Sequence, residues 1–163
     1  MYKRQVLNHV KNENTKKALS LSDAGIVLGF RDKFAEIESY GIDMIFCNDD
    51  EAIAFAGTEN LDDAIKFFKE QSYTIAITKG AEGSIVINNG QEIFSPAMPI
   101  TPVDTNGAGD MFAGGVLHKL SAGYENEISA SFGCFLASKG VENFGPRLPD
   151  EEYVKSQKNF KKK

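Results

Sequence analysis

The sequence predicts an α/β domain on a mainly parallel sheet, and three observations carry that expectation. Short β-rich runs alternate with stretches whose apolar residues recur at helical spacing. Polar or glycine-rich turns follow three of the expected strands, at Asn48, Thr78-Lys79-Gly80 and Asp104–Asp110. The 163 residues are 42% hydrophobic and 25% charged, which is enough apolar content for a packed core.

The elements follow in order. Ala18-Leu19-Ser20-Leu21 reads as a short strand, and Ser22 or Asp23 can cap the helix behind it. In that helix Ile26, Phe30, Phe34 and Ile37 share one face. Ile42 to Cys47 reads as a buried strand ending at Asn48, and Asp49 to Ala56 as a short helix. Asn60 caps the next helix, with Asp63 at the capping-box position and Ala64, Phe67 and Phe68 inward. Thr74–Thr78 is β-rich. Ser84–Ile87 and Glu92–Phe94 flank Asn89-Gly90, a strong hairpin signal. Two helices follow, one with Phe112, Val116 and Leu120 in register, the other with Ile128, Phe132, Phe135 and Leu136. Gly145-Pro146-Arg147-Leu148-Pro149 breaks the pattern, and Glu151 to Phe160 reads as a last helix. Parallel αβ alternation puts the three turns on the carboxyl edge of the sheet, where open α/β sheets bind ligands.

Composition excludes several classes. A net charge of −5 argues against a general nucleic-acid binder. No long uncharged apolar run spans a membrane, and residues 1–6 lack the apolar core of a signal peptide. Cys47 and Cys134 are far apart and read as buried thiols, and His9 and His118 lack metal-ligand spacing. A cytoplasmic protein is the expectation. Lys155, Lys158 and Lys161–Lys163 form a basic tail that reads as a solvated terminus.

Three motifs carry chemistry. Asp104-Thr105-Asn106-Gly107-Ala108-Gly109-Asp110 opens the apolar helix that contains Gly114-Gly115. Unpaired amides of Gly107, Ala108 and Gly109 at a helix start form an anion site that small residues leave open. Asp110 would repel a bound phosphate, so it needs a role there, and taking a proton from an attacking hydroxyl is one. The plain alternative is a helix start whose acidic residue complements the dipole. Asn48-Asp49-Asp50-Glu51 can hold Mg²⁺ through its waters or simply cap a helix. Thr78-Lys79-Gly80-Ala81-Glu82-Gly83-Ser84 can bring backbone and a hydroxyl to a nucleotide phosphate, with Lys79 adding charge, or be a tight turn into the hairpin. There is no Gly-x-x-x-x-Gly-Lys-Ser/Thr and no Gly-x-Ser-x-Gly, and Phe112 stands where a dinucleotide fingerprint has its third glycine. P-loop enzymes, α/β-hydrolases and Rossmann oxidoreductases are thereby disfavoured.

In this order the motifs resemble the PfkB (ribokinase-like) family of carbohydrate and nucleoside kinases, over roughly residues 15–150. Asp104–Asp110 is similar almost letter for letter to that family's C-terminal signature, Asn48-x-x-Glu51 to its magnesium and phosphate motif, and Thr78-x-Gly80-x-x-Gly83 to its nucleotide-side turn. The stretch from Ala18 to Asn48 looks most like bacterial adenosine-kinase-like members. The resemblance implies a three-layer α/β/α sandwich and ATP-dependent phosphorylation of the primary hydroxyl of a sugar or nucleoside. It makes Asp110 the base and Gly107, Ala108 and Gly109 the anion hole. It assigns Asn48 and Glu51 to Mg²⁺ and phosphates, and Thr78, Gly80 and Gly83 to ATP. Cys134 to Gly145 would help form the adenine pocket. Asp104 and Asn106 fall where members bind a monovalent cation such as K⁺. Family members begin with a region that supplies the first strands, most acceptor contacts and a lid often used for dimerisation. Nothing in residues 1–163 resembles that region. The whole chain is therefore expected to be the C-terminal portion of one kinase domain, with 151–163 its last helix and tail. The rival expectation is a nucleotide-binding fragment without an acceptor site.

Overall fold

The structure is a computed structural model that describes residues 2–10 and 14–160. Five strands form one sheet in the order β1-β2-β3-β4-β5: β1 Ala18–Ser20, β2 Met44–Asn48, β3 Thr74–Thr78, β4 Gly83–Asn88 and β5 Gln91–Pro96. The helices are α1 Tyr2–Val10, α2 Ala24–Gly29, α3 Arg31–Glu38, α4 Asp49–Ala56, α5 Leu61–Lys69, α6 Ala108–Ser121, α7 Asn126–Val141 and α8 Asp150–Asn159. The tail residues Lys161–Lys163 lie outside the described residues, while Lys155 Nζ pairs with Glu152 at 2.9 Å.

β1 and β2 run parallel, with Leu19 opposite Ile45. Asp43 O accepts from Thr74 N at 2.9 Å, so β3 starts beside the start of β2 and continues the parallel half. The two-residue turn Asn89-Gly90 between β4 and β5 permits only antiparallel pairing. Asn89 and Gly90 both have positive φ, 50° and 75°, as a type I′ turn requires. The sheet is therefore mixed: parallel strands, then the expected hairpin.

The chain divides into two compact units. The first holds the residues up to Ile77 with Ile87–Gln91. Its core centres on Ile45, Ala64, Phe68, Ile75 and Ile77, all nearly inaccessible. Phe55 stacks on Phe68 with centroids 6.0 Å apart and meets Phe34 edge-on. Here the expected helix with one apolar face is corrected. Phe30 leaves helical geometry at φ −133°, ψ 29° and splits the segment into α2 and α3. Ile26 and Phe30 are exposed, and Val27 is the residue α2 buries. Asp23, not Ser22, is the cap: its carboxylate accepts from Ile26 N at 2.9 Å, while Ser22 sits at φ 73°.

The second unit holds Thr78–Val86 and the residues from Glu92 on. Its core is the α6–α7 pair. Phe112, Val116, Phe132 and Leu136 are almost fully buried. The helices approach closely at glycines: a Cβ on Gly133 would lie 2.7 Å from Val116 Cγ2 and 2.9 Å from Phe112 O. α8 packs on α7, and Phe160 beyond it meets Phe132 edge-on at 5.0 Å.

Candidate active site

The second unit builds a cavity of about 350 Å³. Thr78, Gly80 and Gly83 line it from the β3–β4 turn, and Thr105, Ala108 and Gly109 from the start of α6. Cys134, Ala137, Ser138 and Val141 line it from α7. Two of the three sequence motifs thus meet on one cavity, joined by the segment expected to supply an adenine pocket. The linker Ala97–Pro102 completes the wall. Sequence reasoning missed it because it has neither charge nor periodicity; its only signal was Pro99 and Pro102 between two elements.

Local chemistry makes the turns. After β3, Lys79 N donates to Gly83 O at 2.8 Å across a single 3₁₀ turn, Gly80–Glu82. Gly83 has φ 119°, and a Cβ there would lie 2.1 Å from Ser95 O, so only glycine fits. Lys79 Nζ is bound to Glu82 at 2.7 Å, and Lys79 does not line the cavity.

α6 begins from Gly107 in left-handed geometry, φ 76°. Its first intrahelical bond is Met111 N to Gly107 O at 2.9 Å, which leaves Ala108, Gly109 and Asp110 as the first-turn donors. Ala108 N donates to Thr105 O at 3.2 Å. Of the three amides expected in the anion hole, Ala108's thus already has a partner within the turn. Asp104 braces the turn: its Oδ1 accepts from Asn106 N and its Oδ2 from Gly145 N, both at 3.0 Å. These two bonds hold its carboxyl below the usual range. Asp110 is exposed and lines an adjacent recess with Pro146, Arg147, Asp150 and Tyr153. Gly109 on the cavity wall and Asp110 on this recess are consecutive residues.

Asn48 and Glu51 belong to the first unit and form a complete capping box. Asn48 Oδ1 accepts from Glu51 N at 2.8 Å, and Glu51 Oε2 accepts from Asn48 N at 3.1 Å. Asn48 Nδ2 donates to Glu51 Oε1 at 3.1 Å. Glu51 is only 7% exposed. Burial raises its pKa, the Asn48 amide opposes that, and the carboxylates of Asp23, Asp49 and Asp50 reinforce it. Among the described residues no three His, Cys, Asp or Glu side chains converge on a metal position. Asn48 and Glu51 carry oxygen donors of the kind Mg²⁺ prefers, and Glu51 is the buried carboxylate of the motif. For K⁺, Asp104 offers an ionised carboxylate whose oxygens each accept only one backbone N–H. No helix among the described residues is long and apolar enough to cross a membrane.

Residues 5–152 match the model of the pfkB family carbohydrate kinase. An adenosine kinase of Saccharomyces cerevisiae is 32% identical over 157 residues, 88% of this chain and 46% of its own length. A cytidine kinase of Thermococcus kodakarensis is 34% identical over 119 residues, 71% of this chain and 42% of its own. Among solved structures, adenosine kinase from Sinorhizobium meliloti superposes with a TM-score of 0.88 at 28% identity, over 95% of this chain and 48% of that one. The chain spans about half the length of the relatives it matches, and it adopts the ribokinase-like α/β fold.

Proposed function

Because the chain belongs to the pfkB family of carbohydrate kinases, we propose that it forms the nucleotide-binding and catalytic part of an ATP-dependent kinase. The acceptor is the primary hydroxyl of a sugar or nucleoside, adenosine- or ribose-like. The observation that carries this reading is the convergence of the Thr78–Gly83 turn and the first turn of α6 on one cavity. An ATP molecule there has its base against α7 and its phosphates near the glycine turns. Free first-turn amides at Gly109 and Asp110 stabilise charge growing on the transferred group. Asp110, exposed at that turn, takes the hydroxyl proton as the hydroxyl attacks. Mg²⁺ would supply neutralisation of phosphate charge, and Asn48 and Glu51 are the residues that would hold it. Asp104 and Asn106 are the residues that would hold a K⁺ ion beside the turn.

The test is ADP release by the purified chain with Mg²⁺ and ATP against adenosine, cytidine, ribose and fructose. Acceptor-dependent turnover is expected, with Asp110→Asn lowering kcat by about 10²–10⁴ while ATP affinity is retained. A near-normal rate in that variant removes Asp110 as the base. The cavity and recess within the second unit also allow a second reading, a nucleotide-binding module that turns over no acceptor. ATP binding with no turnover of any acceptor supports that one instead.

A further inference from the structure

We propose that Arg147 is a further catalytic residue, whose guanidinium binds the phosphoryl group as it passes from the nucleotide to the acceptor hydroxyl. The inference rests on the reading that the cavity holds ATP and that Asp110 is the base. In that reaction the bond from the γ-phosphorus to the ADP oxygen breaks and a bond to the acceptor oxygen forms. ADP leaves, and the hydroxyl proton goes to Asp110. The phosphoryl group therefore arrives beside a carboxylate, and its charge needs a donor on the acceptor side as well as on the nucleotide side.

The recess at Asp110 contains such a group. It measures about 500 Å³, and among the described residues that line it Arg147 is the one cation, facing two carboxylates, Asp110 and Asp150. Asp110 lies in the first turn of α6 and Asp150 in the first turn of α8, where each complements its helix dipole. Neither pairs with Arg147, whose guanidinium makes no ion pair or hydrogen bond among the described residues. Its donor fork is thus uncommitted in a recess where two acceptors stand. A planar guanidinium donates two parallel bonds to phosphate oxygens and keeps its charge at any working pH. Met111, Pro146 and Leu148 give the recess apolar walls, which strengthen that attraction.

The loop that carries Arg147 is fastened to the glycine turn of α6, within the same compact unit. Asp104 bridges the two, accepting from Asn106 N with one oxygen and from Gly145 N with the other, both at 3.0 Å. Pro146 packs on Gly107, where a Cβ would lie 2.7 Å from Pro146 Cβ. Pro146 and Pro149 lock φ on either side of Arg147 and Leu148. Two sets of donors are therefore held on one braced turn: the first-turn amides of Gly109 and Asp110 on α6, and the guanidinium on the loop. A phosphoryl group that leaves the cavity at Gly109 and enters the recess at Asp110 meets both.

The test is calorimetric titration of the chain, Arg147→Ala and Arg147→Lys with Mg·ADP, with and without aluminium fluoride, a mimic of the phosphoryl group in transit. Aluminium fluoride is expected to tighten Mg·ADP binding by the unaltered chain. Arg147→Ala is expected to lose about ten- to a hundredfold of that tightening while binding Mg·ADP alone as before. Arg147→Lys should recover only part of it, since an ammonium keeps the charge without the fork. Full tightening in Arg147→Ala overturns the inference and leaves Arg147 as a solvated charge balancing two aspartates. Weaker binding of Mg·ADP alone in that variant overturns it too, because Arg147 then holds the resting nucleotide. If Mg·ADP binds the unaltered chain but aluminium fluoride tightens nothing, the inference falls and the nucleotide reading stands. Failure of Mg·ADP to bind removes both. Arg147 is exposed, so both variants are expected to melt with the unaltered chain; a lower melting temperature in both makes the residue structural and overturns its catalytic role.

Discussion

Gly107 shows how one residue holds a site in place. Its φ of 76° is left-handed, and a Cβ would lie 2.5 Å from Pro146 O, a backbone atom that cannot step aside. Gly107→Ala therefore adds roughly 1–2 kcal/mol of left-handed strain to a backbone clash. Weaker nucleotide binding by titration is expected, with the far-ultraviolet signal of the folded chain retained. Away from the site, Asp43 shows the same economy. Its carboxylate takes a bond from Lys16 Nζ at 2.7 Å and from Lys17 N at 2.8 Å, fixing the entry to β1. Burial works against its ionisation, but these bonds and the two lysine charges prevail and lower its pKa. A depressed carboxylate stabilises the fold above its unfolded pKa, and that stability is lost as pH falls through the folded value. Asp43→Asn is thus expected to cost about 0.5–1.5 kcal/mol at pH 7. The gap should close in denaturation curves taken below the ordinary Asp range; a gap independent of pH would assign the loss to packing.

At the scale of elements, α6 matters most because its first turn carries the proposed anion site and its body carries the packing. Gly115 and Gly133 bring α6 and α7 together: a Cβ on Gly115 would stand 3.0 Å from Gly133 Cα. Gly133→Val is expected to cost about 1–3 kcal/mol or more through overpacking against Val116 and Phe112. The measurement is the urea midpoint. An unchanged midpoint would mean the helices separate freely, and α6 would then not be held in register by this contact. The break at Phe30 is a contrasting case. Its apolar spacing reads as one helix, yet Ile26 at 48% and Phe30 at 57% exposure lie outside the first unit's core. Spacing reports which residues could share a face; it does not report whether a neighbour covers that face.

For the molecule as a whole, the consequence lies in the division into two units. The cavity and the recess at Asp110 are built entirely from the second unit. The proposed nucleotide binding is then expected of this chain itself. At a nucleotide concentration of about 100 Kd the stabilisation is ~2.7 kcal/mol, a rise of several degrees in melting temperature for a domain of this size. A midpoint unmoved by saturating Mg·ATP would contradict the assignment of the cavity.

The alternation of strands and helices, the Asn60 cap and the Asn89-Gly90 hairpin were all legible in the sequence, with Asp23 and Asn48 each one of two neighbouring cap candidates. Each depends on propensity and hydrogen bonds between residues at most a few positions apart. The glycine turns were legible for the same reason, since left-handed backbone and close approach leave few residues but glycine. Tertiary structure alone decided what surrounds those turns. That the Thr78–Gly83 turn and the first turn of α6 share a cavity with Ser138, and that Ser138 ties Met98 to α7, depends on contacts between residues far apart in the chain. So does the partner taken by Met98 N in that wall.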